Sequence, residues 1–134
     1  MKKLLSLYSA AALFGILFIT SCAKEEDEPQ PTGPTFRGNW AVSEKSKDFG
    51  SSTYNLTISD SSNASYILIA YLYGFNKKTY GIVSGNNFTI PVQSIQGNNV
   101  SGTGALKNVN RIEISYLVQT TSTHYDTVGV VLTK

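Results

Sequence analysis

The sequence predicts an all-β domain of about eight strands that follow one another as a meander, in either a sandwich or a barrel. From residue 36 onward the chain is rich in Thr, Ser, Asn, Gly, Tyr, Val and Ile and sparse in Ala, Leu, Glu and Met, which favours strands over helices. Short runs that alternate apolar and polar residues recur there, each closed by Gly, Asn or Ser. No stretch of this part has the periodicity of a helix.

The first 21 residues are typical of a signal peptide. Residues 1–3 include two lysines, and residues 4–19 form an apolar run that is shorter than the ~20 residues of a membrane-spanning helix. The alternatives are an ordinary secretory signal followed by a chance cysteine, or an uncleaved anchor. Either alternative would still export the domain.

The apolar run leads to Cys22 through Ile19, Thr20 and Ser21, which resembles the lipobox cut by the lipoprotein signal peptidase. The resemblance implies that Cys22 carries diacylglycerol and a further acyl chain such as palmitate, which anchor the mature chain in a membrane. Since Cys22 is the only cysteine, the domain has no disulfide and must be held by packing alone.

Residues 22–35 form an acidic, proline-rich tether. Lys24 and the four acidic residues after it resemble the export signal that places Bacteroidetes-type lipoproteins on the outer face of the outer membrane, which implies display on the cell surface. The alternative is a solvated linker that charge repulsion keeps extended. Three prolines between residues 29 and 34 favour a semi-rigid spacer.

Residues 36–134 are long enough for one compact core and too short for a second domain. Eight Lys or Arg against five Asp or Glu leave this domain at +3, and the tether at −3 cancels that charge. The sequence shows no basic stripe, so we predict no nucleic-acid partner.

Most predicted strands have one apolar face. Trp40 and Val42 share a face of the first strand, and the same spacing recurs in the second strand and in the last two. The residues on those apolar faces are Tyr54, Leu56 and Ile58, then Ile112, Ile114, Tyr116 and Val118, and finally Val128, Val130 and Leu132.

The third predicted strand, residues 66–73, is apolar on both faces. It is either a central strand covered on both sides or a strand whose outer face is a contact surface. Aromatic residues concentrate in and after it, where sugar rings or lipid chains could stack, although core packing and hairpin pairs would also explain them. The candidate ligand or interface residues are Tyr66, Tyr71, Tyr73, Phe75 and Tyr80.

Turn residues divide the second half of the domain. Residues 84–87 and 96–99 are typical of tight hairpin turns, the first of which needs positive φ. Between them, Pro91 should end the ladder of its strand. Gly102 and Gly104 fall on an inward face, where we expect a bulky side chain to pack against them.

The first strand opens with Gly38, Asn39 and Trp40, which resembles the first-strand signature of the lipocalin superfamily. The order of strands that follows looks like the lipocalin-like lipoproteins common in Bacteroidetes-type genomes. The resemblance implies a small antiparallel up-and-down barrel of about eight strands, with the tryptophan closing one end. In the larger lipocalins a basic residue late in the chain packs on that tryptophan, and Arg111 is a candidate. The chain is shorter and lacks their terminal helix, which argues against a large ligand cavity.

The domain offers little for catalysis, since its one histidine and five carboxylates are scattered among turns and polar faces. His124 and Asp126 could share a metal, but two ligands do not complete a site. We therefore predict no enzyme, no cofactor and no metal centre.

Two functions remain as expectations. The first is a non-enzymatic, surface-exposed binding module for a small apolar or glycan ligand, which rests on the resemblance of fold. The alternative is a protein-interaction subunit or inhibitor that is associated with an outer-membrane complex and uses the third strand as its interface.

Overall fold

The computed structural model describes residues 35–134, and these form a closed barrel of eight antiparallel strands in which each strand pairs with the next and the last pairs with the first. The prediction of an all-β, up-and-down barrel is confirmed. The strands are β1 Gly38–Ser46, β2 Gly50–Asp60, β3 Tyr66–Ala70, β4 Thr79–Ser84, β5 Asn87–Ile95, β6 Asn98–Asn108, β7 Arg111–Gln119 and β8 Tyr125–Thr133. The signal peptide, Cys22 and most of the tether lie outside the described residues. Within residues 35–134 no helix is long and apolar enough to cross a membrane.

Alternation of side chains creates the core. Every second residue of a strand points to the barrel axis, and these positions carry the apolar residues that the sequence pattern assigned to the inner faces. Trp40, Leu56, Ile112 and Val128 are among those that are almost fully buried. Burial of such side chains supplies most of the stabilisation in a domain without disulfides.

One end of the barrel, which we call the Trp40 end, is closed by residues from both ends of the domain. The Trp40 indole Nε1 donates a hydrogen bond of 2.8 Å to the carbonyl of Phe36, and the ring of Phe36 packs edge-on against Phe88. The Lys134 Nζ lies 4.2 Å from the centre of the Trp40 ring and donates to the carbonyl of Arg37. A Cβ at Gly38 would meet this lysine at 3.1 Å, so the glycine leaves room for it.

The expectation that Arg111 packs on the tryptophan is therefore wrong. Arg111 is the first residue of β7, faces outward and contacts Glu113 on the surface. Lys134 reaches the ring because it directly follows β8, which pairs with β1. Pairing of the first and last strands brings it there, and no local motif marks it.

The turns follow the predicted chemistry. Gly85 has a φ of 59° in the turn between β4 and β5, while Gln96 and Gly97 have φ of 49° and 82° in the turn between β5 and β6. Pro91 does not end β5, because the strand continues to Ile95 through an irregularity between Ile90 and Gln93. Its pairing with β4 does stop, however, at Thr89.

Phe88 fills the space that Gly104 leaves. A Cβ on Gly104 would overlap the ring of Phe88, and one on Gly102 would overlap Tyr116. The expected bulky side chain is therefore present at Gly104, where it comes from β5, whereas at Gly102 the closest atoms are the Ser115 carbonyl and the Cα and Cβ of Tyr116 on β7.

The third strand is shorter than predicted. β3 ends at Ala70, Tyr71 has a φ of 67°, and a 3₁₀ turn follows at Leu72–Gly74 with Tyr73 at a φ of 57°. An apolar sequence gives no signal for left-handed backbone at residues other than glycine, so the sequence pattern predicts a continuous strand here. We call residues 71–75 the cap, because they fold over the end of the barrel opposite Trp40.

Candidate functional site

The end of the barrel opposite Trp40, which we call the Glu44 end, holds a polar cluster. Trp40, Val42 and Glu44 alternate on the inner face of β1, so the strand period carries the Glu44 carboxylate into the interior, where the residue is 7% exposed. Its Oε2 accepts hydrogen bonds of 2.6 Å from the Tyr54 hydroxyl and 2.7 Å from the Tyr116 hydroxyl. Two neutral donors thus bind one oxygen of a buried carboxyl group.

A second carboxylate lies at the same end. Asp126 is fully buried and accepts hydrogen bonds from the Ser46 hydroxyl at 2.5 Å, the Tyr73 hydroxyl at 2.7 Å and the backbone N–H of Asp48 at 3.1 Å. Burial alone would raise the pKa of the Asp126 carboxyl, but these hydrogen bonds stabilise the charged form and hold its pKa below the usual range.

Tyr73 links the two carboxylates to the cap. Besides donating to Asp126, it donates its backbone N–H to the Tyr54 hydroxyl at 3.2 Å. Its ring packs against those of Phe75 and Tyr116, with centroids 5.2 Å and 6.2 Å away. The cap therefore closes the Glu44 end and buries its own Leu72 and Phe75 side chains there.

The carboxylates change the titration of the tyrosines. Burial and the neighbouring Glu44 raise the pKa of Tyr54 and of Tyr116 well above the usual value of about 10. Burial and the hydrogen bond to Asp126 do the same for the pKa of Tyr73. All three hydroxyls stay protonated at neutral pH and keep donating to the two acids.

This cluster is a structural plug. The side chains that donate hydrogen bonds to the two acids are neutral hydroxyl groups of the cluster itself. Within residues 35–134 neither Glu44 nor Asp126 forms an ion pair with a basic side chain. Ser46 donates to Asp126, whereas His124 contacts Asp48 at 2.5 Å on the surface, so the arrangement is not a serine–histidine–aspartate relay.

His124 and Asp126, the two possible metal ligands in the sequence, do not face each other. Asp126 points into the barrel, and the His124 side chain is exposed outside it. In the described part of the chain no group of three or more His, Cys, Asp or Glu side chains is placed to hold a metal ion.

The outer face of β3 and β4 carries the second candidate site. Tyr66 and Leu68 on β3 lie opposite Ile82 and Tyr80 on β4, and all four side chains point away from the barrel axis. The rings of Tyr66 and Tyr80 form a tilted pair with centroids 5.8 Å apart. Tyr80 and Ile82 are 37% and 38% exposed. We call these four residues the aromatic face.

The five predicted aromatic residues thus separate into three environments. Tyr66 and Tyr80 come together on the aromatic face. Tyr73 and Phe75 turn inward and close the Glu44 end, which removes them from the outer surface. Tyr71 is 55% exposed at the start of the cap.

Gln93 fixes the backbone beneath the aromatic face. Its side-chain Oε1 accepts from the Tyr80 N–H at 3.0 Å, and its Nε2 donates to the Tyr80 carbonyl at 2.8 Å. This amide stands in for a strand partner, because β4 and β5 do not pair beyond Thr89 and Pro91 has no N–H to offer. Tyr80 is therefore held in extended conformation at a split between two strands.

A groove of about 740 Å³ lies on the outside of the barrel. Mainly small side chains on the outer faces of β1 and β5 to β8, including Ser43, Thr103, Ser115 and Gly129, line it. Towards the axis the same strands pack tightly, with Phe88 on Gly104 and Ile114 and Val130 buried. Open volume and core therefore lie on opposite sides of the sheet.

Comparisons with known proteins support the fold alone. No family model and no curated protein matches the chain. Among solved structures, it is similar to a redesigned β barrel with a TM-score of 0.56 and 9% sequence identity, over 73% of this chain and 90% of that one. The chain shares the architecture of that barrel.

Sequence reasoning did not find the polar cluster. The period that puts Trp40 and Val42 inside also puts Glu44 inside, and Asp126 precedes Val128 and Val130 on the inner face of β8. Two acids on apolar strand faces, together with Tyr54 and Tyr116 on neighbouring ones, were a usable signal for buried hydrogen-bonded carboxylates.

Proposed function

We propose that this chain is a lipid-anchored, surface-exposed and non-enzymatic binding module that recognises a glycan through the aromatic face of its barrel. The observation that supports the proposal is the Tyr66–Tyr80 pair, in which Tyr80 is exposed and Tyr66 half-buried on the outside of a barrel whose inner positions are taken by its own side chains. Tyrosine rings offer an apolar surface for the CH faces of a sugar and a hydroxyl for its polar edge.

The closed interior favours an external site over a carrier for an apolar ligand. The ring of Phe88 packs on Gly104, and Phe88 and Tyr116 are 2% and 1% exposed, so an internal ligand would have to displace buried side chains. The ends are closed by Trp40 with Lys134 and by the cap with Tyr73. Opening either end would break hydrogen bonds that hold buried groups, which is costly.

Three sequence features support the proposed location at the cell surface. A signal peptide, a cysteine in a lipobox-like setting and an acidic tether together suit a lipoprotein on the outer face of an outer membrane. A chain that incorporates labelled palmitate and loses the label in the Cys22→Ala variant would support this location. Surface proteolysis of intact cells would distinguish outward display from display towards the periplasm.

Glycan binding is tested with the full chain in detergent on an array of neutral and acidic glycans. The Tyr80→Ser variant should bind at least several-fold more weakly, because it removes half of the aromatic pair. Tyr125→Ser is the matched control, since Tyr125 lies on β8 and is 49% exposed away from the aromatic face. Equal losses in the two variants would contradict the proposed site.

The alternative is a protein-interaction subunit or inhibitor of an outer-membrane complex, which would use the same face. If no glycan binds and a defined membrane protein co-purifies with the chain but not with the Tyr80→Ser variant, the glycan proposal is wrong and this alternative replaces it.

A further inference from the structure

Acidic residues are absent from one half of the barrel. Residues 61–112, which include β3 to β6, contain no Asp or Glu but four basic residues. The basic residues are Lys77, Lys78, Lys107 and Arg111. All five acids of the domain lie elsewhere, at Glu44, Asp48, Asp60, Glu113 and Asp126.

Two of these four basic residues, Lys77 and Lys78, form no ion pair within residues 35–134 and lie beside the aromatic face. Lys107 and Arg111 both contact Glu113. Lys77 and Lys78 are exposed. They directly precede β4, so only Thr79 separates Lys78 from Tyr80 in the chain. Two free ammonium groups thus flank a stacking surface with no carboxylate on the same strands.

We propose that the ligand of the aromatic face is an acidic polysaccharide, whose rings stack on Tyr66 and Tyr80 while Lys77 and Lys78 bind its carboxylate or sulfate groups. This rests on the proposed function and adds the charge of the ligand. Lysine suits such a partner, because a flexible point charge contacts anionic groups without a fixed bidentate geometry. Absence of acids in β3 to β6 removes the repulsion that the ligand would otherwise meet.

Two other anionic partners fit less well. The side chains of the aromatic face are at most 38% exposed, so they lie against the sheet and cannot enter a bilayer by the roughly 5–10 Å typical of interfacial segments. Two lysines would displace few counterions from a nucleic acid, which makes binding to its backbone weak at physiological salt.

The test uses the full chain in detergent and a panel of polysaccharides: polygalacturonate, its methyl-esterified form, chondroitin sulfate and unsulfated chondroitin. We expect polygalacturonate to bind more tightly than its neutral ester, and binding to weaken as salt is raised because exposed charges are screened. The Lys77→Gln/Lys78→Gln variant should bind acidic members about 2- to 25-fold more weakly, at about 1.4- to 5-fold for each exposed charge contact. Lys45→Gln/Lys47→Gln is the matched control with the same change in net charge, and it should bind as the parent does.

The results of this experiment distinguish glycan binding itself from the acidic character of the ligand. If acidic and neutral members bind equally and both depend on Tyr80, the glycan function holds and the acidic ligand is wrong. If the two lysine variants lose affinity equally, the charge effect is general and the site is wrong. If anionic vesicles or a thymidine oligonucleotide bind and the polysaccharides do not, both proposals are wrong.

Discussion

The Tyr116 hydroxyl donates a hydrogen bond of 2.7 Å to the Glu44 carboxylate inside the barrel, between residues 72 positions apart in the chain. β1 and β7 do not pair with each other but both pair with β8, so this contact passes over β8 on the inner face of the sheet. It gives the buried Glu44 carboxyl group a neutral donor and links two strands that share no ladder, near the end that the cap closes.

The contact should contribute measurably to stability. Tyr116→Phe removes one of the two tyrosine donors to Glu44 and should lower the free energy of unfolding by about 1–3 kcal/mol. Urea unfolding followed by the fluorescence of Trp40, the only tryptophan, measures the loss. In a double-mutant cycle with Glu44→Gln, we expect a coupling of about 0.5–3 kcal/mol. A coupling of zero would show that the bond adds nothing.

Phe88 and Gly104 should behave as one packing unit. Gly104→Ala places a methyl group in the space of the Phe88 ring and should destabilise the domain by about 1–3 kcal/mol. Phe88→Leu in the same chain should recover part of the loss, because it frees volume next to the new methyl group. Gly129→Ala is a matched control, since a Cβ there meets nothing within 4 Å. Gly104→Ala with parental stability would mean that the interior holds empty space.

Alkaline pH should unfold the protein through its buried tyrosines. Their pKa values are raised in the folded state, so their contribution to stability is complete below the unfolded pKa of about 10 and is lost progressively as pH rises above it. The urea midpoint should therefore fall above pH 10, and ultraviolet absorbance should show tyrosinate forming together with unfolding. Ionisation of Tyr54, Tyr73 and Tyr116 in a protein that is still folded would contradict the buried cluster.

Acid should act through Asp126 in the opposite direction. Its pKa is lowered in the folded state, so its contribution is present above the unfolded pKa of about 4 and is lost as pH falls through the folded value. Asp126→Asn should be less stable than the parent at pH 7, and the difference should shrink below pH 4. Stability curves at pH 2 to 7 measure this, and a constant difference across the range would be the contrary result.

Gln93 should stabilise the backbone of the aromatic face at Tyr80. Gln93→Ala leaves the N–H and carbonyl of Tyr80 without their protein partner and should cost about 0.5–1.5 kcal/mol. Hydrogen exchange at the Tyr80 amide should accelerate in this variant. Exchange at the Val128 amide in β8 should change only as much as the lower free energy of global unfolding requires. An unchanged Tyr80 amide would show that another group holds this segment.

Local periodicity made much of the barrel predictable. Alternation places Trp40, Leu56 and Ile112 inside because a strand has a period of two regardless of how the strands are joined. Turns at Gly85 and Gly97 were predictable because their backbone needs residues that tolerate positive φ.

What could not be predicted depends on contacts between distant parts of the chain. Lys134 packs on Trp40 because β8 closes the barrel on β1, which no local pattern reveals. Tyr71 and Tyr73 adopt positive φ without being glycine, and the apolar sequence around them predicts a strand instead. The sequence shows that β3 to β6 contain basic residues and no acids, but it does not show that Tyr66 and Tyr80 lie side by side next to them, because that contact depends on the pairing of β3 with β4.

Chemical-shift mapping of the chain on addition of the tightest-binding polysaccharide tests most directly whether a ligand binds outside the closed barrel, as we propose. We predict changes at the amides of Tyr66, Lys78 and Tyr80, with the Trp40 indole and the Phe88 amide unchanged. Changes centred on Trp40, Phe88 and Tyr116 would instead place the ligand inside the barrel and contradict the account.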